Sequence, residues 1–348
     1  MGRGNDAIPT WSGFNYQGKM MLLYVLELIN QIAKDKNKDI LDRDTTSILK
    51  GFLVIYVAIH HYVQRISNPN LLNPLNYVGF LCVSFFFLMS GYGLTLSFYK
   101  KENLKGFFKK RFLRLYFPFV ICNILVAILE NISIKSGYSI LRIFITSFTL
   151  RTIYSNTILW YIFVQILMYI VFFISFKIFK SKNYRIVFVG LSIVIYIIIS
   201  IYTEQGAWRY NTVSCFFIGI VVASYKEKII NIIDKYYVYL SIIFILGFMS
   251  SWYLVINGIY SYYITFICSI IFVLLLIIFT YKCKLVSALY GYLGSISYEI
   301  YIIQLPMIDI VISLMKNNNL GLFIILLNTI ILSIISNKIS NLINKVIN

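Results

Sequence analysis

The segment 264–281 reads ITFICSIIFVLLLIIFTY, eighteen consecutive residues without a charged side chain. A helix needs about 20 mostly apolar residues to cross the hydrocarbon core of a bilayer. Backbone N–H and C=O groups find no water in that core, so they must be paired inside the segment, as they are in a helix. The segment therefore predicts a transmembrane helix.

The whole chain shares this apolar composition. Of its 348 residues, 59% are hydrophobic and 18% are aromatic. This share is well above that of soluble domains, so the composition excludes an ordinary soluble domain and indicates a polytopic membrane protein. The net charge of +18 would also suit nucleic-acid binding. Because Lys and Arg set the topology of membrane proteins, we instead expect no nucleic-acid partner.

Ten segments along the chain are apolar and long enough to cross a membrane, the first and the sixth being the weakest. They are 47–66, 77–99, 115–133, 157–177, 184–203, 208–224, 236–256, 260–281, 291–315 and 320–343. These segments predict an all-α polytopic membrane domain over residues 47–348, with about ten transmembrane helices. The more polar residues 1–46 are expected to form a separate N-terminal segment.

Basic residues are distributed unequally between the predicted loops. If the N-terminus is cytoplasmic, 25 of the 31 Lys and Arg residues lie inside the cell. The six outside are Arg65, Lys135, Arg142, Arg151, Arg209 and Lys316. The positive-inside rule expects this asymmetry, and a span miscounted early in the chain would spoil it. We therefore predict that residues 1–46 and both termini are cytoplasmic.

Two common patterns are missing from the sequence. None of the five cysteines forms a CxxC pair, so we expect no metal site and no disulfide framework. We also expect no tightly bound cofactor. The first 19 residues are polar, and the first apolar stretch is short and interrupted by Glu27 and Asn30. We therefore expect no cleavable signal peptide.

The only two histidines, His60 and His61, lie in the first predicted span. Ionisable side chains at membrane depth are costly, and those that occur usually serve a function. His61 follows Lys50 by eleven residues, which returns to nearly the same helix face about 16 Å further along the axis. His60 points about 100° away, and we interpret it as structural. For Lys50 and His61, helix anchoring and an interhelical hydrogen bond are the alternatives to function.

A basic run at residues 109–118, KKRFLRLYFP, leads into the third predicted span. Arg111 and Arg114 are three residues apart, so they share one helix face. The planar guanidinium group suits phosphate oxygens. Two interpretations follow: binding of a phosphorylated donor such as coenzyme A, and contact with anionic lipid headgroups.

Two further motifs lie within predicted spans. Residues 85–93, FFFLMSGYG, place small residues inside a bulky run, which is typical of close helix packing. Residues 294–306, GSISYEIYIIQLP, place Glu299 and Gln304 at membrane depth. A carboxylate at that depth needs a partner, so a functional and a structural role are both open for Glu299.

Taken together, these motifs resemble those of one family, the integral-membrane acyltransferases of acyltransferase family 3. The family patterns are a basic residue and a histidine separated by ten residues, a Phe-Phe-x-Leu-Ser-Gly-Tyr string, Arg-x-x-Arg before a proline, an aromatic pair, and Gly-x-Ile-Ser-Tyr-x-Ile-Tyr. In chain order, the matching positions are Lys50 and His61, residues 86–92 with Met89 inserted, Arg111 and Arg114 with Pro118, residues 159–161, and residues 294–301. The resemblance covers about residues 47–343.

The chain departs from the family pattern at two positions. Lys50 stands where most members have Arg, so the charge is kept and the bidentate geometry is lost. Gln304 stands where many members carry a second histidine. The expectation of catalysis therefore depends on His61.

The resemblance implies transfer of an acyl group, most simply acetyl, from cytoplasmic acyl-CoA to a hydroxyl of a cell-surface glycan or its lipid-linked precursor. The setting it implies is a bacterial inner or plasma membrane, with membrane lipid around the protein. His61 would be the general base or a transient acyl carrier. The donor-binding residues would be Lys50, Arg111 and Arg114, and the substrate-lining residues would be Trp160, Tyr298, Glu299 and Gln304.

Two other function classes are compatible with the same spans. A transporter or flippase for a lipid-linked sugar would use His61 as a proton relay, although no duplicated half is evident in the sequence. A sensor or assembly partner without chemistry would leave the arginine pair and the membrane histidine unexplained.

Overall fold

A computed structural model of the protein describes residues 37, 39–67, 69–149, 151, 159–259, 261–315 and 319–347. Every regular element in these residues is helical, and nine of the helices are long and apolar enough to cross a membrane. Many large apolar side chains on these helices are exposed, among them Ile195, Ile243 and Leu246. Soluble proteins do not expose apolar surface on this scale. The predicted all-α polytopic membrane fold is therefore confirmed.

Twelve α-helices occur in the described residues, and we number them in chain order. They are α1 (Arg43–Val63), α2 (Gly79–Lys101), α3 (Phe107–Ser133), α4 (Ile140–Phe148), α5 (Leu159–Ile178), α6 (Lys182–Tyr202), α7 (Ser214–Ser224), α8 (Lys226–Ile256), α9 (Tyr262–Lys282), α10 (Ala288–Ser295), α11 (Ser297–Met315) and α12 (Asn319–Ile347). Short 3₁₀ helices occupy Asn70–Tyr77 and Ala207–Arg209.

Side-chain caps begin several of these helices. The Asp42 carboxylate accepts hydrogen bonds from the backbone N–H groups of Asp44 and Thr45 at 3.1 and 3.3 Å, at the start of α1. The hydroxyls of Ser139, Ser261 and Ser287 do the same for α4, α9 and α10. Such caps satisfy backbone donors that have no partner within the helix, which is why the helices begin where they do.

Nine of the ten predicted spans coincide with long helices, but two of the ten are not single full-length helices. The predicted span 291–315 is divided at Ile296 into α10 and α11. The predicted span 208–224 contains only α7, which has 11 residues. Residues Asn211 and Thr212, just before α7, are buried in protein. Non-helical backbone is tolerated at membrane depth where protein covers it, so this segment crosses without a full-length helix.

Glycines allow the closest approaches between helices. A Cβ atom at Gly91 of α2 would lie 2.1 Å from the Phe216 carbonyl oxygen of α7, and one at Gly219 would lie 2.2 Å from the Leu88 carbonyl oxygen. The packing role predicted for residues 85–93 is confirmed at Gly91. The same reciprocal arrangement joins α1 to α10, where Cβ atoms at Gly51 and Gly294 would collide with backbone oxygens at 2.0 and 1.8 Å.

Polar contacts show which helix ends lie together. Lys226 at the start of α8 pairs with Asp39 at 2.5 Å, and Lys182 at the start of α6 donates to the Ser224 carbonyl at the end of α7, at 2.7 Å. We call this end of the bundle, where α1 begins, the basic end. The opposite end is the far end, where Arg65 pairs with Asp309 at 2.6 Å. That the basic end faces the cytoplasm stays a prediction.

The loop predicted between the third and fourth spans contains the additional helix α4. The Ser147 hydroxyl accepts a hydrogen bond from Asn123 at 2.8 Å, and the Phe148 carbonyl accepts one from Tyr116 at 3.0 Å. Since Tyr116 and Asn123 lie in the first half and middle of α3, α4 runs back along α3 towards the basic end. Leu141 and Phe144 remain exposed on its other face. It is a re-entrant helix rather than an external loop.

The prediction for residues 1–46 lies mostly outside the described residues. Within the described part, Asn37 donates to the carbonyl oxygens of Thr280 and Cys283 at 2.6 and 3.0 Å. The Ile40 carbonyl accepts a hydrogen bond from the Tyr92 hydroxyl at 2.7 Å. These residues are therefore attached to the basic end.

Candidate active site

A cavity of about 900 Å³ extends into the bundle from the basic end. Helices α1, α2, α3, α5, α11 and α12 all contribute to its wall. One face of α2 lines the cavity along its whole depth, from Lys101 at the mouth through Ser97, Gly93 and Ser90 to Phe86. The fifteen helix steps from Phe86 to Lys101 correspond to about 22 Å at 1.5 Å per residue. The cavity therefore reaches well into the membrane-spanning part of the protein.

The lining of this cavity is strongly basic. Six of the lining residues are cationic and one is acidic, namely Lys50, Lys101, Lys105, Lys110, Arg111 and Arg114 against Glu299. A cleft with charges of one sign and low-dielectric walls concentrates ligands of the opposite charge. The cavity is therefore suited to an anionic ligand that enters at the basic end.

Arg111 is held in place by aromatic rings. Its guanidinium carbon lies 5.8 Å from the ring centroid of Phe107 and 5.9 Å from that of Tyr169. Its Nε atom is buried and has no hydrogen-bond partner among the described residues. A buried donor without a partner lowers the stability of the fold. The Nε–H of Arg111 is therefore available to donate to an anionic group inside the cavity.

Glu299 and Tyr298 form a polar part of the cavity wall. Glu299 is 3% exposed, and its Oε1 accepts a hydrogen bond from Asn337 Nδ2 at 2.8 Å. The partner predicted for this carboxylate is thus the amide of Asn337. The Tyr298 hydroxyl donates to the Leu115 carbonyl at 3.0 Å, which joins α11 to α3 beside the arginine pair.

The deep end of the cavity contains polar residues that sequence reasoning missed. Gln165 is buried and donates to the Ser90 hydroxyl at 2.7 Å. The rings of Tyr161 and Tyr301 meet edge to face, with centroids 5.4 Å apart. Gln165 is an amide within an apolar span, the same signal that pointed to Glu299, and it was available in the sequence.

His61 does not line this cavity. Lys50 does, and the eleven helix steps from Lys50 to His61 place His61 about 16 Å further towards the far end. His61 Nδ1 lies 3.2 Å from Gln64 Oε1, and the His61 carbonyl accepts a hydrogen bond from Arg65 at 3.2 Å. Lys50 and His61 therefore lie at two different depths, and of the two only Lys50 lines the cavity.

His60 is held by its surroundings, as expected for a structural residue. Its Nδ1 lies 3.1 Å from the Leu75 carbonyl oxygen, which can only accept, so this nitrogen is the donor. A Cβ atom at Gly79 would lie 2.5 Å from His60 Nε2, so the ring fits against a glycine at the start of α2.

Gln304 lies deeper in the protein than the cavity. It is fully buried, and neither its Oε1 nor its Nε2 has a hydrogen-bond partner among the described residues. Ser47 bonds to Gly291 and Arg65 to Asp309, and both pairs are 244 residues apart, so the two segments run side by side in the same direction. The same offset puts Gln304 level with His60, and one turn beyond Tyr301.

Trp160 also lies outside the cavity. Its ring packs edge to face on Trp208, with centroids 5.3 Å apart, beside the turn that joins α6 to α7 at the far end. The structure thus brings Lys50, Arg111, Arg114, Tyr298 and Glu299 together around one cavity. It leaves His61, Trp160 and Gln304 nearer the far end.

Comparison with known proteins gives one match. A family model described as an acyltransferase domain matches residues 46–338. No curated protein matches the chain, and no solved structure matches it.

Proposed function

The chain belongs to acyltransferase family 3, and on this premise we propose that it transfers an acyl group, most simply acetyl, from cytoplasmic acyl-CoA to a hydroxyl of a cell-surface glycan or its lipid-linked precursor. The observation that carries the proposal is the basic cavity with the unpartnered Nε of Arg111. Coenzyme A carries several phosphate groups, and arginine binds phosphate oxygens through charge-assisted hydrogen bonds. The volume of about 900 Å³ is in the range of ligand sites.

The donor occupies the cavity in a defined direction in this proposal. Arg111 and Arg114 hold its phosphates, with Lys50 and the lysines at the mouth adding positive charge. The basic end then faces the cytoplasm, where acyl-CoA is available. The acyl thioester points along α2 towards Ser90, Gln165 and Tyr301, where the wall carries uncharged polar groups.

His61 acts on the acceptor from the far end. Its Nδ1–H donates to Gln64 Oε1 in the observed arrangement, because a carbonyl oxygen can only accept. The other nitrogen, Nε2, is then unprotonated and is the atom that takes the proton of the acceptor hydroxyl. As that proton leaves, the hydroxyl oxygen bonds to the thioester carbon and the coenzyme A thiolate departs. In the alternative mechanism, His61 Nε2 first takes the acyl group from the thioester and then passes it to the acceptor hydroxyl.

Gln304 connects the two halves of the site in this proposal. It lies one turn beyond the end of the cavity at Tyr301 and level with His60, and neither of its amide atoms has a hydrogen-bond partner among the described residues. A substrate carbonyl or hydroxyl would satisfy them. Trp160 and Trp208 offer ring faces at the far end for a sugar, while Tyr298 and Glu299 line the donor side.

The principal test separates donor binding from transfer. In His61→Ala, we expect the acetyl content of the surface glycan to be lost while purified protein still binds acetyl-CoA. In Arg111→Ala, we expect acetyl-CoA binding to weaken by about 1.5–3 kcal/mol, the value of a hydrogen bond to a charged group, which is roughly tenfold or more.

Arg142→Ala is the matched control. Arg142 is an exposed arginine on α4 that stacks on Tyr138 and does not line the cavity. The proposal is wrong if folded His61→Ala and Arg111→Ala proteins both sustain full acetylation. It is also wrong if the wild-type protein neither binds nor slowly hydrolyses acetyl-CoA, which is the behaviour expected of a transporter.

A further inference from the structure

A second cavity, of about 380 Å³, lies between α3 and α5. We call it the lateral groove. Its walls are apolar, and they include Phe108, Phe112, Tyr116 and Ile166. Lys109 and Arg111 also contribute to the lining, through their hydrocarbon stems. Apolar cavities of this size do not hold ordered water well, since water needs polar partners.

The lateral groove adjoins the basic cavity. Five residues line both spaces, namely Arg111, Leu115, Ile162, Tyr169 and Tyr298. Arg111 therefore stands at the boundary between an apolar space and a basic one. Its Nε is the unpartnered donor described above, so the boundary combines a site for hydrocarbon with a site for an anion.

The other side of the lateral groove faces the surroundings of the bundle. Phe108 and Phe112 are 46% and 52% exposed. From Phe108 to Tyr116 the groove follows α3 for about 12 Å. The Tyr116 hydroxyl donates to the Phe148 carbonyl at the end of α4, at 3.0 Å, and this contact bounds the groove on the side away from the basic end.

We propose that the lateral groove binds one hydrocarbon chain of an anionic bilayer lipid whose headgroup lies at Arg111 and Lys109. The exposed rings of Phe108 and Phe112 give bilayer lipid direct access, and each buried methylene contributes about 0.8 kcal/mol. Lys109 is exposed beside the groove, and basic side chains near the surface of a membrane attract anionic headgroups. This binding requires no chemistry, so lipid labelling tests it apart from acyl transfer, although the headgroup would share Arg111 with the donor phosphates of the proposed function.

The test is photo-crosslinking of the purified full chain in lipid nanodiscs. The probe is phosphatidylglycerol with a photoreactive diazirine in one acyl chain, and labelled peptides are mapped by mass spectrometry. We expect labels within residues 108–116 and 162–169. We expect these labels to be lost in Ile166→Trp, because the indole would fill the lateral groove, and to persist in Leu167→Trp. Leu167 is the exposed neighbour on α5 and does not line the groove.

Two further comparisons, one between lipid headgroups and one with a second filling variant, complete the experiment. Phosphatidylcholine with the same chain should label these peptides less than phosphatidylglycerol, and Arg111→Gln should remove the difference. Ile162→Phe is a second filling variant in case Ile166→Trp does not fold. Equal labelling by the two lipids, or labelling that survives both filling variants, overturns the proposal. So does labelling by photoreactive palmitoyl-CoA alone, which would assign the groove to a long-chain donor.

Discussion

At the scale of single residues, two of the buried polar groups that lack hydrogen-bond partners among the described residues lie at two depths of the proposed pathway. Arg111 Nε is at the basic cavity, and the Gln304 amide is beyond its deep end. Buried polar groups in folded proteins are nearly always hydrogen-bonded. Because Arg111 and Gln304 lie along one line of the bundle, we interpret them under the proposed function as positions that bind substrate.

Gln304→Leu should separate stability from activity. Replacing an unsatisfied buried amide by an apolar side chain of similar shape is nearly neutral or stabilising. We therefore expect the melting temperature in detergent to stay the same or rise, while acetyl transfer falls and acetyl-CoA binding is unchanged. Gln304→His, which restores the residue common in the family, should retain transfer. A clear loss of thermal stability in Gln304→Leu would show instead that the amide is a structural partner.

The sequence predicted which cations lie together at the candidate site, but it did not predict how deep the cavity extends towards His61. Lys50, Arg111 and Arg114 are cations near span ends, and their charge alone makes them conspicuous in an apolar chain. The position of His61 relative to the cavity depends on where the wall closes, at Tyr301 and Phe86. That closure is set by packing between helices far apart in sequence, which helix periodicity does not describe.

At the scale of helices, hydropathy located the spans and missed how two segments enter the membrane. The segment 208–224 is apolar enough to count as a span, but only residues 214–224 of it are α-helical. The non-helical residues Asn211 and Thr212 are tolerated there because they are buried in protein. Helix α4 is too short to register as a span, yet it lies along α3. Hydropathy reports composition, whereas both of these features are consequences of tertiary contact.

Gly91→Ala should destabilise the contact between α2 and α7. The added Cβ would lie 2.1 Å from the Phe216 carbonyl oxygen, and backbone cannot move aside as a flexible side chain can. Overpacking costs about 1–3 kcal/mol, so we expect a lower melting temperature and less protein extracted in folded form.

Gly93→Ala is the control on the same helix. No atom lies within 4 Å of a Cβ built at Gly93, and alanine favours a helix over glycine by about 1 kcal/mol. Its melting temperature should stay the same or rise. Equal destabilisation by the two substitutions would mean that α2 is sensitive to any added side chain and that the glycine contact is not the cause.

At the scale of the whole molecule, the number of crossings decides whether the two ends of the chain lie together. Nine long helices in the described residues would leave the start of α1 and the end of α12 at opposite ends. The structure places both at the basic end, because Asn341 and Asn344 of α12 line the basic cavity beside Lys50 and Lys101. The segment that ends in α7 supplies the tenth crossing. An even number of crossings puts both chain ends on one side, and the distribution of Lys and Arg between the loops predicted that number from the sequence.

The orientation of this bundle is testable with single cysteines. Lys105→Cys lies between α2 and α3 at the basic end, and Lys135→Cys lies after α3 at the far end; both positions are exposed. A membrane-impermeant maleimide should label Lys135→Cys in intact cells, and Lys105→Cys only after the membrane is opened. Four native cysteines are buried and Cys283 is half-buried, so a Cys283→Ser background removes the remaining reactive thiol. The opposite pattern would put the basic cavity outside the cell, where acyl-CoA is absent, and would exclude the donor pathway that the arginines imply.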